Sequence, residues 1–79
     1  MVDKKRKVRK IDLRGKGFPS TIIILAKEAK SLNPKSTLLV LTDDKETVEQ
    51  AREWGERVAW VTVTSNRKED HWIIQVMRL

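Results

Sequence analysis

The sequence predicts a two-layer α/β (α+β) sandwich of order βαβαββ, in which two helices cover one face of a four-stranded mixed sheet. Two observations support this prediction. Apolar residues recur at helical spacing in two segments, whereas four other segments are short and rich in branched apolar residues. The 79 residues contain no repeat and no linker. The first two strands should be parallel, with a right-handed crossover, and the last two should form an antiparallel hairpin.

The first strand is predicted over residues 8–13, where the apolar positions are Val8, Ile11 and Leu13. Pro19 suits the first position of a helix. Apolar residues follow it at helical spacing, at Ile22, Leu25, Ala26, Ala29 and Leu32. This helix should end before Asn33-Pro34, because the residue before a proline disfavours helical backbone.

The second strand is predicted at Thr37–Leu41, a short apolar run typical of a central strand. Thr42-Asp43-Asp44 would then supply the N-cap and first-turn acids of the second helix. The apolar stripe of that helix is Val48, Ala51 and Trp54, and Gly55 is predicted to close it as a left-handed cap.

Two further strands are predicted over residues 57–64 and 72–79, joined by a polar hairpin loop over residues 65–70. Alternation along the first of them places Trp60 with Thr62 and Thr64. We therefore expect Trp60 on the exposed face of the sheet, where Trp72 would join it as a cross-strand pair. Such a patch would suit dimerisation or binding; alternatively, the two rings only cover each other.

Composition excludes several classes of protein. The chain has no cysteine, so it has neither a disulfide framework nor a thiolate metal site. Its longest apolar run, residues 22–26, is far shorter than the roughly 20 residues that span a membrane. No apolar region of a signal peptide follows the basic N-terminus. We expect a soluble, cytoplasmic protein without membrane contact.

The net charge of +6 is concentrated at the N-terminus. Residues 1–16 hold eight basic and two acidic side chains, whereas residues 17–79 hold nine of each. Residues 1–7 are predicted to be a flexible basic arm, and residues 8–79 a single domain. Basic runs of this kind often bind nucleic acid, although they also serve solubility alone. The candidate residues for nucleic-acid binding are Lys4, Lys5, Arg6, Lys7, Arg9 and Lys10.

The segment from Asp12 to Pro19 ends a strand, turns on two glycines and opens a helix. Glycines let the backbone approach a ligand, and the amides at a helix N-terminus attract anions. The candidate residues for binding an anion or a partner are Arg14, Gly15, Lys16, Gly17, Phe18, Ser20 and Thr21. Alternatively, the glycines only make the turn. The ring of Phe18 would be either an exposed anchor for a partner or nucleobase, or a staple at the edge of the core.

No catalytic constellation is found in the sequence. Helix capping accounts for the adjacent acids Asp43 and Asp44 without a catalytic role. Glu69-Asp70-His71 lacks a fourth ligand and the residue spacing of a metal site, so we interpret it as a solvated loop. We therefore expect no cofactor and no metal.

Two short motifs precede the predicted helices: Asp-Leu-Arg-Gly at residues 12–15 and Leu-Thr-Asp-Asp at residues 41–44. In this order and at this separation, they resemble the TusA/SirA/YedF family of small sulfur-carrier proteins over residues 10–79. The resemblance implies a two-layer α/β sandwich and a Cys-Pro-x-Pro motif whose cysteine carries a persulfide. By position, that cysteine falls on Phe18, the first proline on Pro19 and the second on Thr21.

The phenylalanine at position 18, where the family's motif has a cysteine, argues against the chemistry that the resemblance implies, because persulfide transfer needs a nucleophilic thiolate. We expect a TusA/SirA-like domain that is not an enzyme and transfers no sulfur. Its predicted role is to bind a protein partner, or to regulate one, as a monomer or weak homodimer. The alternative is a nucleic-acid-binding protein that uses the basic arm and the turn from Arg14 to Phe18.

Overall fold

The structure is a computed structural model that describes residues 7–79, so all of the predicted arm except Lys7 lies outside the described residues. The order βαβαββ is confirmed. The elements are β1 (Val8–Asp12), α1 (Ser20–Lys30), β2 (Thr37–Thr42), α2 (Lys45–Val58), β3 (Val61–Arg67) and β4 (Trp72–Arg78). Neither of the described helices is long and apolar enough to cross a membrane.

The four strands form one mixed sheet in the order β1-β2-β4-β3. β1 and β2 are parallel, with Ile11 opposite Val40, as the sequence predicts. β4 runs antiparallel to both of its neighbours, β2 and β3. Because β1 and β2 run in the same direction, the segments that follow them, which lead into α1 and α2, lie at the same end of the sheet.

The core lies between the helices and one face of the sheet. Leu38 and Val40 of β2 are fully buried, as are Ile74 and Val76 of β4, which pair with them in register. Leu25 and Ala29 of α1 and Ala51 of α2 are also fully buried in this cluster. Residues that point to the other face, such as Leu39, are more exposed. The predicted two-layer arrangement is therefore confirmed.

The predicted end of α2 is wrong. Gly55 lies inside the helix, which continues to Val58, and Ala59 takes the left-handed cap position with a φ of 65°. Gly55 is buried, and a Cβ at this position would lie 2.5 Å from Val63 Cγ2. Its lack of a side chain therefore permits close packing of helix on strand. Since the helix uses residues 57 and 58, β3 begins only at Val61.

The predicted pairing of Trp60 with Trp72 is also wrong. Trp60 lies before β3, and its ring meets that of Trp54 edge to face at a centroid distance of 5.7 Å. The Arg78 guanidinium lies 5.0 Å from the centre of the Trp60 ring, on the helix side of the sheet. In β4, Trp72 pairs in register with Arg67, whose guanidinium lies 4.2 Å from the ring centre. Trp60 and Trp72 therefore pack against different partners within the domain, and these two rings form no common patch.

Candidate functional site

The turn between β1 and α1, residues 13–19, is the candidate site, and we call it the Phe18 turn. Leu13 anchors its start: the side chain is buried, and its amide donates to the Leu41 carbonyl at 2.8 Å. The Lys16 amide donates back to the Leu13 carbonyl at 3.1 Å. Gly15 has a φ of +86°, a conformation that residues with a side chain rarely adopt. The chain reverses here because a glycine supplies that angle.

Asp12 and Arg14 form a closed pair at the entrance of the turn. The Asp12 carboxylate accepts from the Arg14 amide at 3.0 Å and from its guanidinium at 2.9 and 2.7 Å. These hydrogen bonds, the one from the guanidinium first, lower the pKa of Asp12 to about 2. Both side chains are about half exposed, so the pair adds little to global stability. Its role is to fix the conformation of the turn.

Two acids that precede α2 reach across to the Phe18 turn. The Asp43 carboxylate accepts from the Gly15 amide, with both oxygens at 3.1 Å. Asp44 Oδ2 accepts from the Phe18 amide at 2.9 Å. Although Asp44 is the N-cap residue of α2, its side chain makes no hydrogen bond to the helix amides. The acids that the sequence explains as helix caps therefore also hold the turn, through hydrogen bonds to the Gly15 and Phe18 amides.

A line of buried hydroxyl groups continues from Asp44 into the core. Thr47 Oγ1 donates to Asp44 Oδ2 at 2.6 Å and lies 2.6 Å from Thr21 Oγ1. Because the Thr47 proton is used on Asp44, the Thr21 hydroxyl is the donor to Thr47. The Thr47 hydroxyl is also the main reason why the pKa of Asp44 lies below its usual value. Thr21 and Thr47 are fully buried, so Thr21 connects α1 to α2 inside the protein.

This network bears on the predicted anion site. The amides of Gly15 and Phe18, which would hold an anion in the turn, already donate to internal carboxylates. An incoming anion would have to displace these carboxylates and would be repelled by their charge. The anion site stays a prediction, and the geometry favours the alternative in which both glycines serve the turn.

Lys16 and Phe18 of the turn, and Ser20 at the start of α1, are exposed to solvent. Phe18 is 42% exposed, and its peptide bond to Pro19 is cis. The first turn of α1 adds Ile23, which is 65% exposed. Its amide donates to the Pro19 carbonyl at 3.2 Å, so Ile23 lies one helical turn beyond Pro19. An exposed aromatic and an exposed aliphatic side chain thus flank the start of α1.

The basic residues assigned to nucleic-acid binding do not form one surface in the described part of the chain. Arg9 and Lys10 are neighbours in β1 and therefore point to opposite faces of the sheet. On the helix side, the Arg9 guanidinium binds Glu28 at 2.7 Å and the Ser31 hydroxyl at 2.9 Å. Lys7 is exposed. Three of the assigned residues lie outside the described residues, namely Lys4, Lys5 and Arg6.

His71 is less exposed than a solvated loop implies. Its side chain is only 17% exposed, and Nδ1 lies 2.6 Å from Asp70 Oδ1, which lowers the pKa of Asp70. Trp72, the residue after His71, pairs with Thr42 at the end of β2, so the loop between β3 and β4 lies at the same end of the sheet as the Phe18 turn. Within residues 7–79, no group of three or more His, Cys, Asp or Glu side chains is placed to hold a metal. The sequence gives no signal for this proximity.

The comparison with protein families gives one match. The family model described as sulfurtransferase TusA matches residues 9–78, which is nearly the whole chain. The chain belongs to the TusA family. No curated protein and no solved structure matches it.

Membership of the TusA family raises the question of whether the Phe18 turn could carry sulfur. The chain has no cysteine, and Phe18 stands where the resemblance described in the sequence analysis implies the cysteine of the family. Phenylalanine has neither a nucleophile nor an ionisable proton. Ser20 is nearby in the sequence, but His71, the one histidine of the chain, hydrogen-bonds to Asp70. The site is a strand–turn–helix junction that presents the aromatic ring of Phe18 to solvent.

Proposed function

We propose that this TusA-family domain transfers no sulfur and binds a protein partner through the exposed surface formed by Phe18 and Ile23. The observation that carries the proposal is the exposed aromatic ring of Phe18, at the position where the resemblance implies the cysteine of the family. Buried anchors at protein interfaces are most often large side chains, aromatic ones above all, that fill a pocket of the partner. A ring that is 42% exposed in the free protein is available for this role.

The hydrogen bonds of the Phe18 turn support the proposal because they reduce the entropy lost on binding. The Phe18 amide is held by Asp44, and the Gly15 amide is held by Asp43. An anchor whose backbone is already fixed loses little conformational freedom when a partner orders it. The Phe18 turn therefore presents its ring in a preorganised position.

The exposed side of α1 extends this surface. Ser20, Ile23, Lys27 and Lys30 are exposed and follow one another at helical spacing. Two lysines beside an apolar anchor favour a partner with acidic groups around an apolar pocket, since opposite charges speed association and select the partner.

The proposed binding is tested with a photoreactive phenylalanine analogue in place of Phe18, followed by identification of the crosslinked protein. The partner's affinity is then measured for the unmodified chain and for Phe18→Ala. If Phe18 is an anchor, its truncation should weaken binding by about 30-fold or more, which corresponds to about 2 kcal/mol.

The matched control is Val8→Ala, which truncates another exposed apolar side chain at the opposite end of β1. It should leave the affinity within about threefold of the original, because a peripheral contact contributes little. Equal losses for Phe18→Ala and Val8→Ala, or no loss for either, would contradict the proposal.

The absence of sulfur transfer is tested by incubating the protein with a cysteine desulfurase and cysteine labelled on its sulfur. We expect no label on the protein, because no side chain in it forms a persulfide. A stable sulfur adduct would refute this part of the proposal and leave the binding role to be judged separately.

A second candidate function is nucleic-acid binding, which the charge distribution favours. Residues 7–36 carry eight basic and two acidic side chains, and both acids pair with arginines. We expect three to five phosphate contacts, and hence a slope of log affinity against log salt of roughly −3 to −4.5 on duplex DNA. Removal of residues 1–7 should flatten that slope. No binding at low salt would exclude this candidate and leave the protein-partner proposal standing.

A further inference from the structure

β3 is an edge strand of the sheet, and one side of its backbone is unpaired. Val61 pairs in register with Arg78, whose amide and carbonyl are bonded on the other side, to the segment before β2. In an antiparallel pair, the backbone groups turn towards the neighbouring strand only at every second residue. The amides and carbonyls of Val61, Val63 and Ser65 therefore point away from β4, and in the described part of the chain they have no backbone partner.

The two edges of the sheet differ in how they are protected against a further strand. Charged side chains commonly guard a free edge. In β1, three of the five residues are charged, and the Arg9 guanidinium is bound to Glu28 of α1 at 2.7 Å. In β3, the first six residues carry no charge, in a chain where 35% of residues are charged, and four of them are valine or threonine, which favour strands. β3 is therefore the edge that is open to a further strand.

A groove of about 340 Å³ accompanies this edge. Its lining comes from α2 and β3, so it opens on the side of β3 away from β4; the lining residues are Arg52, Gly55, Glu56, Val61, Thr62 and Val63. Arg52 and Glu56 are exposed and lie one helical turn apart, about 6 Å along the axis of α2. Neither of them forms a salt bridge with another residue of the described range 7–79.

We propose that the free edge of β3 binds an extended segment of a partner protein, which adds to the sheet as a fifth strand antiparallel to β3. The unpaired backbone groups identify the occupant, because alternating donors and acceptors along an edge are matched by another extended backbone. Antiparallel addition is favoured because antiparallel pairs are slightly more stable per residue than parallel ones.

The groove determines which side chains this segment carries. Residues opposite Val61 and Val63 point to the same face as these valines, into the groove, and lie about 6.8 Å apart. Only residues 59 and 60 separate α2 from β3, so helix and strand run in opposite directions. An antiparallel fifth strand therefore runs with α2 and meets Arg52 before Glu56. A glutamate followed two positions later by a lysine places opposite charges beside both, while the methylene groups cover the valines.

A second copy of this chain does not have the required side chains. The groove-side residues of its own β3 are Val61, Val63, Ser65 and Arg67, none of which is acidic. The net charge of +6 also opposes association between copies. The inference does not depend on the proposed function, because the Phe18 turn follows β1, at the opposite edge of the sheet.

The test is an NMR titration of the full chain with a synthetic peptide, Thr-Val-Thr-Glu-Thr-Lys-Thr-Val-Thr, blocked at both ends. We expect a Kd between about 10 µM and about 1 mM. At saturation, the amides of Val63 and Ser65 should exchange at least about tenfold more slowly, because they become hydrogen-bonded. The amides of β1 should keep their exchange rates.

Two methylated peptides test the backbone pairing. Residues that share the groove side with Val63 turn their own amides towards β3, so methylation of the lysine amide removes a donor to the edge. It should weaken binding by about tenfold or more. The amide of the threonine between glutamate and lysine points away from β3, and its methylation should change the affinity by less than about threefold.

Two charge reversals on α2 test the groove. Arg52→Glu should weaken binding of the peptide by about fivefold or more, because it sets two carboxylates side by side. Arg57→Glu is the matched control: Arg57 is exposed on the same helix but does not line the groove, so the affinity should stay within about twofold. Both positions are exposed, and circular dichroism would verify that both variants fold.

No binding of the peptide at about 1 mM would overturn the proposal. Equal effects of the two methyl groups, or protection of β1 amides in place of those of β3, would do so as well. If the Val63 amide of the protein alone became more protected as its concentration rose, a second copy would be the occupant, and the proposal of a partner segment would be wrong.

Discussion

Replacing Asp44 by alanine should release the Phe18 turn from α2 while the sandwich stays folded. The change removes the acceptor of two hydrogen bonds, from the Phe18 amide at 2.9 Å and from the Thr47 hydroxyl at 2.6 Å. A hydrogen bond to a charged group contributes about 1.5–3 kcal/mol. Asp44 is partly exposed and Thr47 keeps Thr21 as a partner, so both contributions fall at or below the lower end of that range. We expect Asp44→Ala to lower the free energy of unfolding by about 2 kcal/mol.

Two measurements test this expectation. The thermal midpoint should fall by about 8–16 °C, since about 1 kcal/mol shifts the midpoint of a domain this small by 4–8 °C. Amide hydrogen exchange, followed by NMR, should show a larger loss of protection at the Phe18 amide than at the amides of the core strand β2. The second measurement reports directly on the bond that holds the candidate anchor.

Asp43→Ala is the matched control, because it frees the Gly15 amide and leaves the bond between Phe18 and Asp44 in place. If Phe18 exchanges equally fast in both variants, or at its original rate in Asp44→Ala, the reasoning is refuted. The pH dependence has a definite sign. Hydrogen bonding lowers the pKa of Asp44 in the folded state, so its contribution is present above the usual pKa and is lost as the pH falls through the folded value.

Two further predictions concern the packing of α2 and the entrance of the turn. Gly55→Ala should destabilise the protein by about 1–2 kcal/mol despite the better helix propensity of alanine, because its Cβ would meet Val63 at 2.5 Å. Denaturant unfolding of the single variants and of Gly55→Ala with Val63→Ala should show that the second change partly relieves the first, and an unchanged Gly55→Ala protein would contradict the close contact. The NMR titration midpoint of Asp12 should lie at about 2 and move towards 3.8 in Arg14→Gln; equal midpoints would show that the guanidinium is not the cause.

The fold could be predicted from the sequence because the helix and strand patterns are strong and agree with local signals. The helical spacing of Leu25 and Ala29 after Pro19 indicates both where α1 begins and which side is buried. The run of branched residues over 37–41 likewise identifies the central strand, although β2 extends to Thr42. These signals are local, and tertiary packing reinforces each of them.

The predictions from the sequence were wrong or incomplete where the role of a residue depends on a contact with a residue far away in the sequence. Gly55 resembles a helix cap in the sequence, but its role depends on Val63, which follows in the next strand. Asp43 and Asp44 satisfy the pattern of helix capping, whereas their acceptor atoms are used by amides 26 to 28 positions earlier. Strand alternation predicts which face Trp60 lies on only if Trp60 belongs to the strand. Because β3 starts at Val61, four residues later than predicted, Trp60 lies outside it.

Because Gly55 packs closely on Val63, a change at this end of α2 would also move the other end of the helix. Asp44 and Gly55 are separated by eleven residues, or about 17 Å of helix. If a side chain at position 55 lifted that end of the helix by about 1 Å, towards an ordinary contact distance, the helix would tilt by about 3°. The tilt would move the acidic start of α2 relative to the Phe18 turn by a fraction of an ångström, which is enough to weaken a hydrogen bond of 2.9 Å. The lack of a Cβ at Gly55 sets the distance between α2 and the sheet. That distance in turn affects the strength of the hydrogen bond that holds the Phe18 amide.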